Sequence, residues 1–191
     1  MKTFVYIDHF KGDVQPASWE ALGLAKSFGT AVALVFGAGV DEVAKAAVEF
    51  GADEVLVADD ASLADYRAET YASTLSALAS SQSPSLILLP TTSRTRELAA
   101  MSAIDLNTGV LTDLIGLEAN GDSFVATRPI YEGKLMEKTV CSGKPVMATI
   151  RGRAFPKPER VSGKSGTITK VAAAGEAKSS VEGYSASESA V

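Results

Sequence analysis

Four short runs, Phe4 to Ile7, Ala31 to Phe36, Val55 to Ala58 and Leu86 to Leu89, are almost uninterrupted apolar sequence, and stretches with helical spacing separate them. A strand without polar alternation is one covered on both faces. Ala17, Ala21, Leu24, Ala25 and Phe28 recur at helical intervals, as do Val40, Val43, Ala44 and Ala47, and again Tyr71, Leu75 and Leu78. With a fourth helix starting near Arg94, the alternation predicts right-handed β-α units and an open, doubly wound, mainly parallel sheet of the α/β class up to about residue 106.

After Asn107 the punctuation changes. Asn120-Gly121, Glu132-Gly133-Lys134 and Ser142-Gly143-Lys144-Pro145 separate β-rich runs at hairpin spacing, which predicts antiparallel hairpin additions in the C-terminal half. From Val161 onward Ser, Ala and Gly make up 17 of 31 residues, too little apolar bulk for a separate core. The expected organisation is therefore an α/β domain over residues 1–160 and a tail over 161–191, with a strand from Thr167 to Ala172 followed by linker.

Composition narrows the chemistry. A formal charge of −5 gives no global footprint for nucleic acid. The single cysteine, Cys141, has no intramolecular disulfide partner, and with one histidine, His9, the Cys/His ligands of a zinc site are lacking, so no metal is expected. The first residues turn polar after four apolar ones, neither a signal sequence nor a membrane span. A cytoplasmic protein without membrane insertion is the expectation.

No catalytic residues are expected. A Ser-His-Asp set would have to use His9, whose neighbour Asp8 points to the other face while the first strand persists. Gly37-Ala38-Gly39 opens a helix, but the third glycine position of a dinucleotide loop falls on Glu42, a carboxylate where a pyrophosphate would sit. Gly163-Lys164-Ser165 imitates a P-loop whose first glycine position is Pro158. The most informative loop runs from Pro90 to Glu97, where the fourth strand hands over to its helix at the ligand-binding edge of such a sheet. Thr92, Ser93, Arg94 and Arg96 could hold an anion such as an adenylate phosphate against the helix N-terminus. The alternative reading is that Thr92 or Ser93 simply caps the helix and the arginines are solvated or meet a partner.

Several segments together resemble the N-terminal domain of the alpha subunit of electron-transfer flavoproteins. They are Gly51 to Val55, Pro84 to Ser93, Gly109 to Leu114, Arg128 to Lys134 and Ala148 to Pro156, colinear over roughly residues 3 to 160. The resemblance implies an adenine nucleotide alpha hydrolase-like fold and an electron carrier rather than an enzyme. It further implies a heterodimer with a beta subunit whose FAD takes electrons from acyl-CoA or other flavin dehydrogenases and passes them to a quinone oxidoreductase. In that family the FAD is held mostly by a C-terminal domain of the alpha subunit, and nothing after Val161 resembles it, so no FAD-contacting residue is carried over. The family's nucleotide edge holds AMP in the beta subunit, not the alpha, and Arg94-Thr95-Arg96 stands where family members tend to place a glycine before the first basic residue. Arg128, Tyr131 and Gly133 are the expected interface residues: an Arg-Pro step keeps the chain extended and Gly133 permits a sharp turn. An ordinary hairpin is the competing reading of that segment. The alternative function is a stand-alone domain binding AMP or ATP through the Thr91 to Arg96 loop.

Overall fold

The computed structural model describes residues 1–121 and 123–185. In chain order its elements are β1 (Lys2–Tyr6), β2 (His9–Phe10), β3 (Asp13–Val14), α1 (Pro16–Lys26), β4 (Thr30–Gly37), α2 (Asp41–Glu49), β5 (Glu54–Asp59), a 3-10 turn (Ala61–Leu63), α3 (Ala68–Gln82), β6 (Leu86–Pro90), α4 (Ser93–Asp105), β7 (Val110–Leu114), β8 (Gly116–Asn120), β9 (Ser123–Ile130), β10 (Leu135–Val140), β11 (Val146–Ile150) and β12 (Thr167–Lys170). Seven strands form one sheet in the order β12-β5-β4-β1-β6-β11-β7, every pair parallel. The order reverses direction between β1 and β6.

Burial explains why the inner strands read as unbroken apolar runs. Val5, Ala33, Val55 and Leu88 face one core with α1 and α2, while Phe4, Leu34, Leu56 and Ile87 face a second core with α3 and α4. Pro16 opens α1 in the first turn, where an amide hydrogen would have no intrahelical acceptor. Within α1, Gly23 lets Pro156 and Pro158 lie across the helix: a Cβ there would stand 3.0 Å from both.

The C-terminal half departs from a string of hairpins in one respect. β8, β9 and β10 form a separate antiparallel sheet joined by the expected turns at Gly121 and Gly133. The third turn, Ser142 to Pro145, instead carries the chain back to insert β11 between β6 and β7. Hairpin spacing describes local turns and is blind to a strand whose partners lie up to 60 positions away. The small sheet folds against the α1 side: Leu117, Phe124 and Ala126 join that core, and the Phe124 ring meets Phe28 edge-on at 5.3 Å.

Past Pro158 the chain is laid on the domain. Arg160 pairs with Glu49 at 2.6 Å, Gly163 N–H donates to the same carboxylate, and β12 extends the sheet beside β5. From there Val171 and Ala173 pack onto the α3–α4 core, and the remaining described residues cross the outer side of α3. No helix among the described residues is long and apolar enough to cross a membrane.

Candidate functional site

At the end of β1 the chain buries a carboxylate. Asp8 lies in the crevice where the strand order reverses, its side chain 1% exposed, and two groups from the β6–α4 junction meet it. The Thr92 hydroxyl donates to Oδ2 at 2.9 Å and the Arg94 guanidinium forms an ion pair with Oδ1 at 3.0 Å, while Arg94 Nη1 donates to the carbonyl of His9 at 3.0 Å. Burial pushes the Asp8 carboxyl above its ordinary value, with Arg94 and then Thr92 pulling the other way.

Thr92 and Thr95 also close the helix end on itself. Thr92 caps α4 by accepting from Thr95 N–H at 3.2 Å, and the Thr92 N–H donates to Thr95 Oγ1 at 2.9 Å, a reciprocal capping box. Thr95 then donates to the carbonyl of Pro90. Ser93 and Arg96 stand exposed on the first turn, so the four residues proposed from sequence split into an inward pair, Thr92 and Arg94, and an outward pair. The inward pair already holds an anion, and that anion is Asp8.

His9 adds a second fixed group. Its Nε2 lies 2.8 Å from the carbonyl of Phe36 and its Nδ1 accepts from Gly12 N–H at 3.3 Å, an arrangement that requires the neutral ring with the proton on Nε2. Burial lowers its pKa accordingly, against the opposing hydrogen bond to Phe36. Behind it the phenols are locked as donors: Tyr71 to Leu63 O at 2.8 Å and Tyr66 to Arg94 O at 2.9 Å. Burial pushes the Tyr71 hydroxyl up to about 12 and that of Tyr66 higher still. The space left among these groups is about 20 Å³, room for a single water.

Further along the same edge, Arg151 grips Asp113 through Nε at 3.2 Å and Nη2 at 2.6 Å, which holds the Asp113 carboxyl below its usual range. Thr149 bridges the rows, accepting from Thr91 at 3.1 Å and from Asp113 N–H at 2.9 Å. Neither Asp8 nor this pair follows from local spacing, because each partner is brought from a distant strand end. Among the described residues no cluster of three His, Cys, Asp or Glu side chains is spaced to hold a metal ion.

The other candidate surface is the β9–β10 arm. Arg128 sits directly opposite Glu137, pairs with it, and donates to Thr112 Oγ1 of β7 at 2.7 Å, tying the arm to the main sheet. At the tip, Tyr131, Glu132 and Gly133 all take positive φ, at 48°, 56° and 85°. Only the glycine does so freely; a bulky residue held there is strained. Tyr131, Leu135, Met136 and Val140 each expose more than half of their surface, and β10 is an edge strand. Glu137 and Thr139 turn toward β7, so alternation aims Met136, Lys138 and Val140 outward, opposite Pro129, Thr127 and Val125. Strain at the tip, an open edge and exposed apolar groups thus coincide on this one arm.

Comparison with known proteins agrees with this architecture. The electron transfer flavoprotein domain matches residues 3–176. An electron transfer flavoprotein subunit alpha from Syntrophomonas wolfei is 35% identical over 150 residues, covering 78% of this chain and 47% of the relative. Protein FixB of Bradyrhizobium diazoefficiens is 34% identical, with 83% and 46% covered. The LctC subunit of a lactate dehydrogenase (NAD(+),ferredoxin) from Acetobacterium woodii is 31% identical, with 86% and 41% covered. The chain thus spans about half the length of the curated relatives it matches.

Proposed function

Because the chain belongs to the electron transfer flavoprotein family, we propose that it is the docking half of an alpha-type subunit. In this reading it seats a beta-type subunit and positions a flavin module that moves electrons from acyl-CoA or other flavin dehydrogenases toward a quinone oxidoreductase. The observation that carries the proposal is the β9–β10 arm: a strained tip and an exposed edge strand, clamped to the sheet by Arg128. The role of the domain is geometric. Docking fixes how closely the flavin approaches its partner cofactor, and the domain's own side chains take no part in the electron step.

The crevice between β1 and β6 is ill suited to the pyrophosphate of FAD. At the edge where this class of sheet binds nucleotides, Asp8 presents a carboxylate to any pyrophosphate and already occupies Thr92 and Arg94. The flavin is therefore assigned to modules outside this domain. The same carboxylate speaks against a stand-alone AMP- or ATP-binding domain.

Two measurements test the reading. Mixed with the beta-type subunit encoded in the same genome, the chain should sediment as a one-to-one complex that Met136→Glu abolishes without unfolding the chain. Incubated with excess FAD and then desalted, the chain alone should stay colourless. Failure to bind any beta-type subunit, or a stoichiometric flavin band in the isolated chain, would refute the proposal.

A further inference from the structure

α3 is an unusual helix for the surface of a sheet. Besides the apolar residues that face the core it buries Thr70 and Thr74, 1% and 0% exposed, and what covers it on the outer side is the chain after β12. Ala174 N–H donates to Thr74 Oγ1 at 3.0 Å, while Glu69 accepts from Lys178 N–H at 3.1 Å and from the Ser179 hydroxyl at 2.9 Å. Gly175, at φ +81°, presses so close that a Cβ would lie 2.6 Å from Ser73. The segment ends on Tyr184. Its ring meets Phe10 edge-on at 5.1 Å and lies 5.0 Å from the Lys11 ammonium, and its hydroxyl donates to Asp65 at 2.9 Å. Arg94, the partner of Asp8, reaches the other side of the Phe10 ring at 5.9 Å.

The two ends of this segment are held by different forces. Up to Ala174 it has the β12 ladder, apolar packing against the core and a hydrogen bond to the buried Thr74; beyond that point its attachments are hydrogen bonds to polar groups at the surface and the contacts of the Tyr184 ring with Phe10 and Lys11. Polar contacts that water can replace let go locally, whereas ladder and core release only with the fold. We propose that residues 175–185 are a detachable strap, hinged just past Ala174, that closes the crevice between the ends of β1 and β6 by seating Tyr184 in a notch formed by Phe10, Lys11 and Asp65. The notch is a receptor for a phenol: a ring edge for the ring, a cation beside its face and a carboxylate for its hydroxyl. In the closed state the chain's own tyrosine fills it. Lifted, the strap exposes the notch and the outer side of Arg94 to a tyrosine-bearing segment of a partner.

Hydrogen exchange read by mass spectrometry on the full chain tests this. Tyr184→Ala removes an exposed ring and should leave the fold intact; amides at residues 9–12 and 64–67 should exchange at least tenfold faster, with β1 and β6 unchanged. Gly175→Ala, which forces the strap off Ser73, should reproduce the pattern from a distance, and Tyr184→Phe should give an intermediate rate. Added N-acetyl-tyrosinamide should slow exchange again in Tyr184→Ala, and the phenylalanine analogue should do so less. Unchanged rates in both alanine variants, or an equal rise across the whole sheet, would overturn the proposal.

Discussion

Asp8 is the residue on which the carboxyl edge turns, because it stands in the place of a ligand and yet belongs to the chain. Removing its counter-ion is the sharper test. Arg94→Met should destabilise by about 3 kcal/mol, the low end for breaking a buried pair since the guanidinium is partly solvated, and urea midpoints at neutral pH would measure it. Without Arg94 the folded pKa of Asp8 rises further, so the variant should recover stability as pH falls and the carboxyl protonates. His9 has the opposite sign. Its folded pKa lies below the unfolded value of about 6.5, so the unfolded chain takes the proton first and stability falls as pH is lowered through that value toward the folded pKa. The wild-type urea midpoint should drop between about pH 7 and pH 5, and His9→Gln should flatten that drop; an equal slope in both would mean that other groups carry it. Sequence alone points to the loop that carries Thr92 and Arg94 but not to Asp8, which they contact. Asp8 was weighed against its neighbour His9, whereas its partners lie more than 80 positions away and only the parallel pairing of β1 with β6 brings them together.

Among elements, the inner strands were legible because burial on both faces removes polar alternation, and the β9–β10 turn because Gly133 marks it. The insertion of β11 and the path over α3 were not. The first is a matter of topology, and the second leaves only the faint trace of Thr70 and Thr74 where a surface helix would carry charge. The arm supports a prediction of its own. Tyr131→Gly relieves a left-handed backbone and should stabilise the chain by about 1 kcal/mol, seen as a raised urea midpoint, while weakening beta-subunit binding because the exposed ring is lost. A variant that is stabilised and still binds normally would place the docking contacts farther along β10. Arg128→Ala should act differently: by unclamping the arm from Thr112 it should speed exchange of β9 and β10 amides and leave the seven-stranded sheet protected.

Across the whole molecule, the strand order has a consequence for synthesis on the ribosome. β1, β4, β5 and β6 can assemble as they emerge, each new strand finding its neighbour already made. β7 cannot: its sole partner in the sheet is β11, which is translated only after the entire antiparallel arm has appeared. During that interval both β6 and β7 offer bare edges to solvent while the arm, an antiparallel meander, is free to form. The nascent chain therefore passes through a half-built stage in which its most adhesive surfaces are complementary to a strand not yet made, and a pause between residues 115 and 145 is where a holding chaperone would matter most.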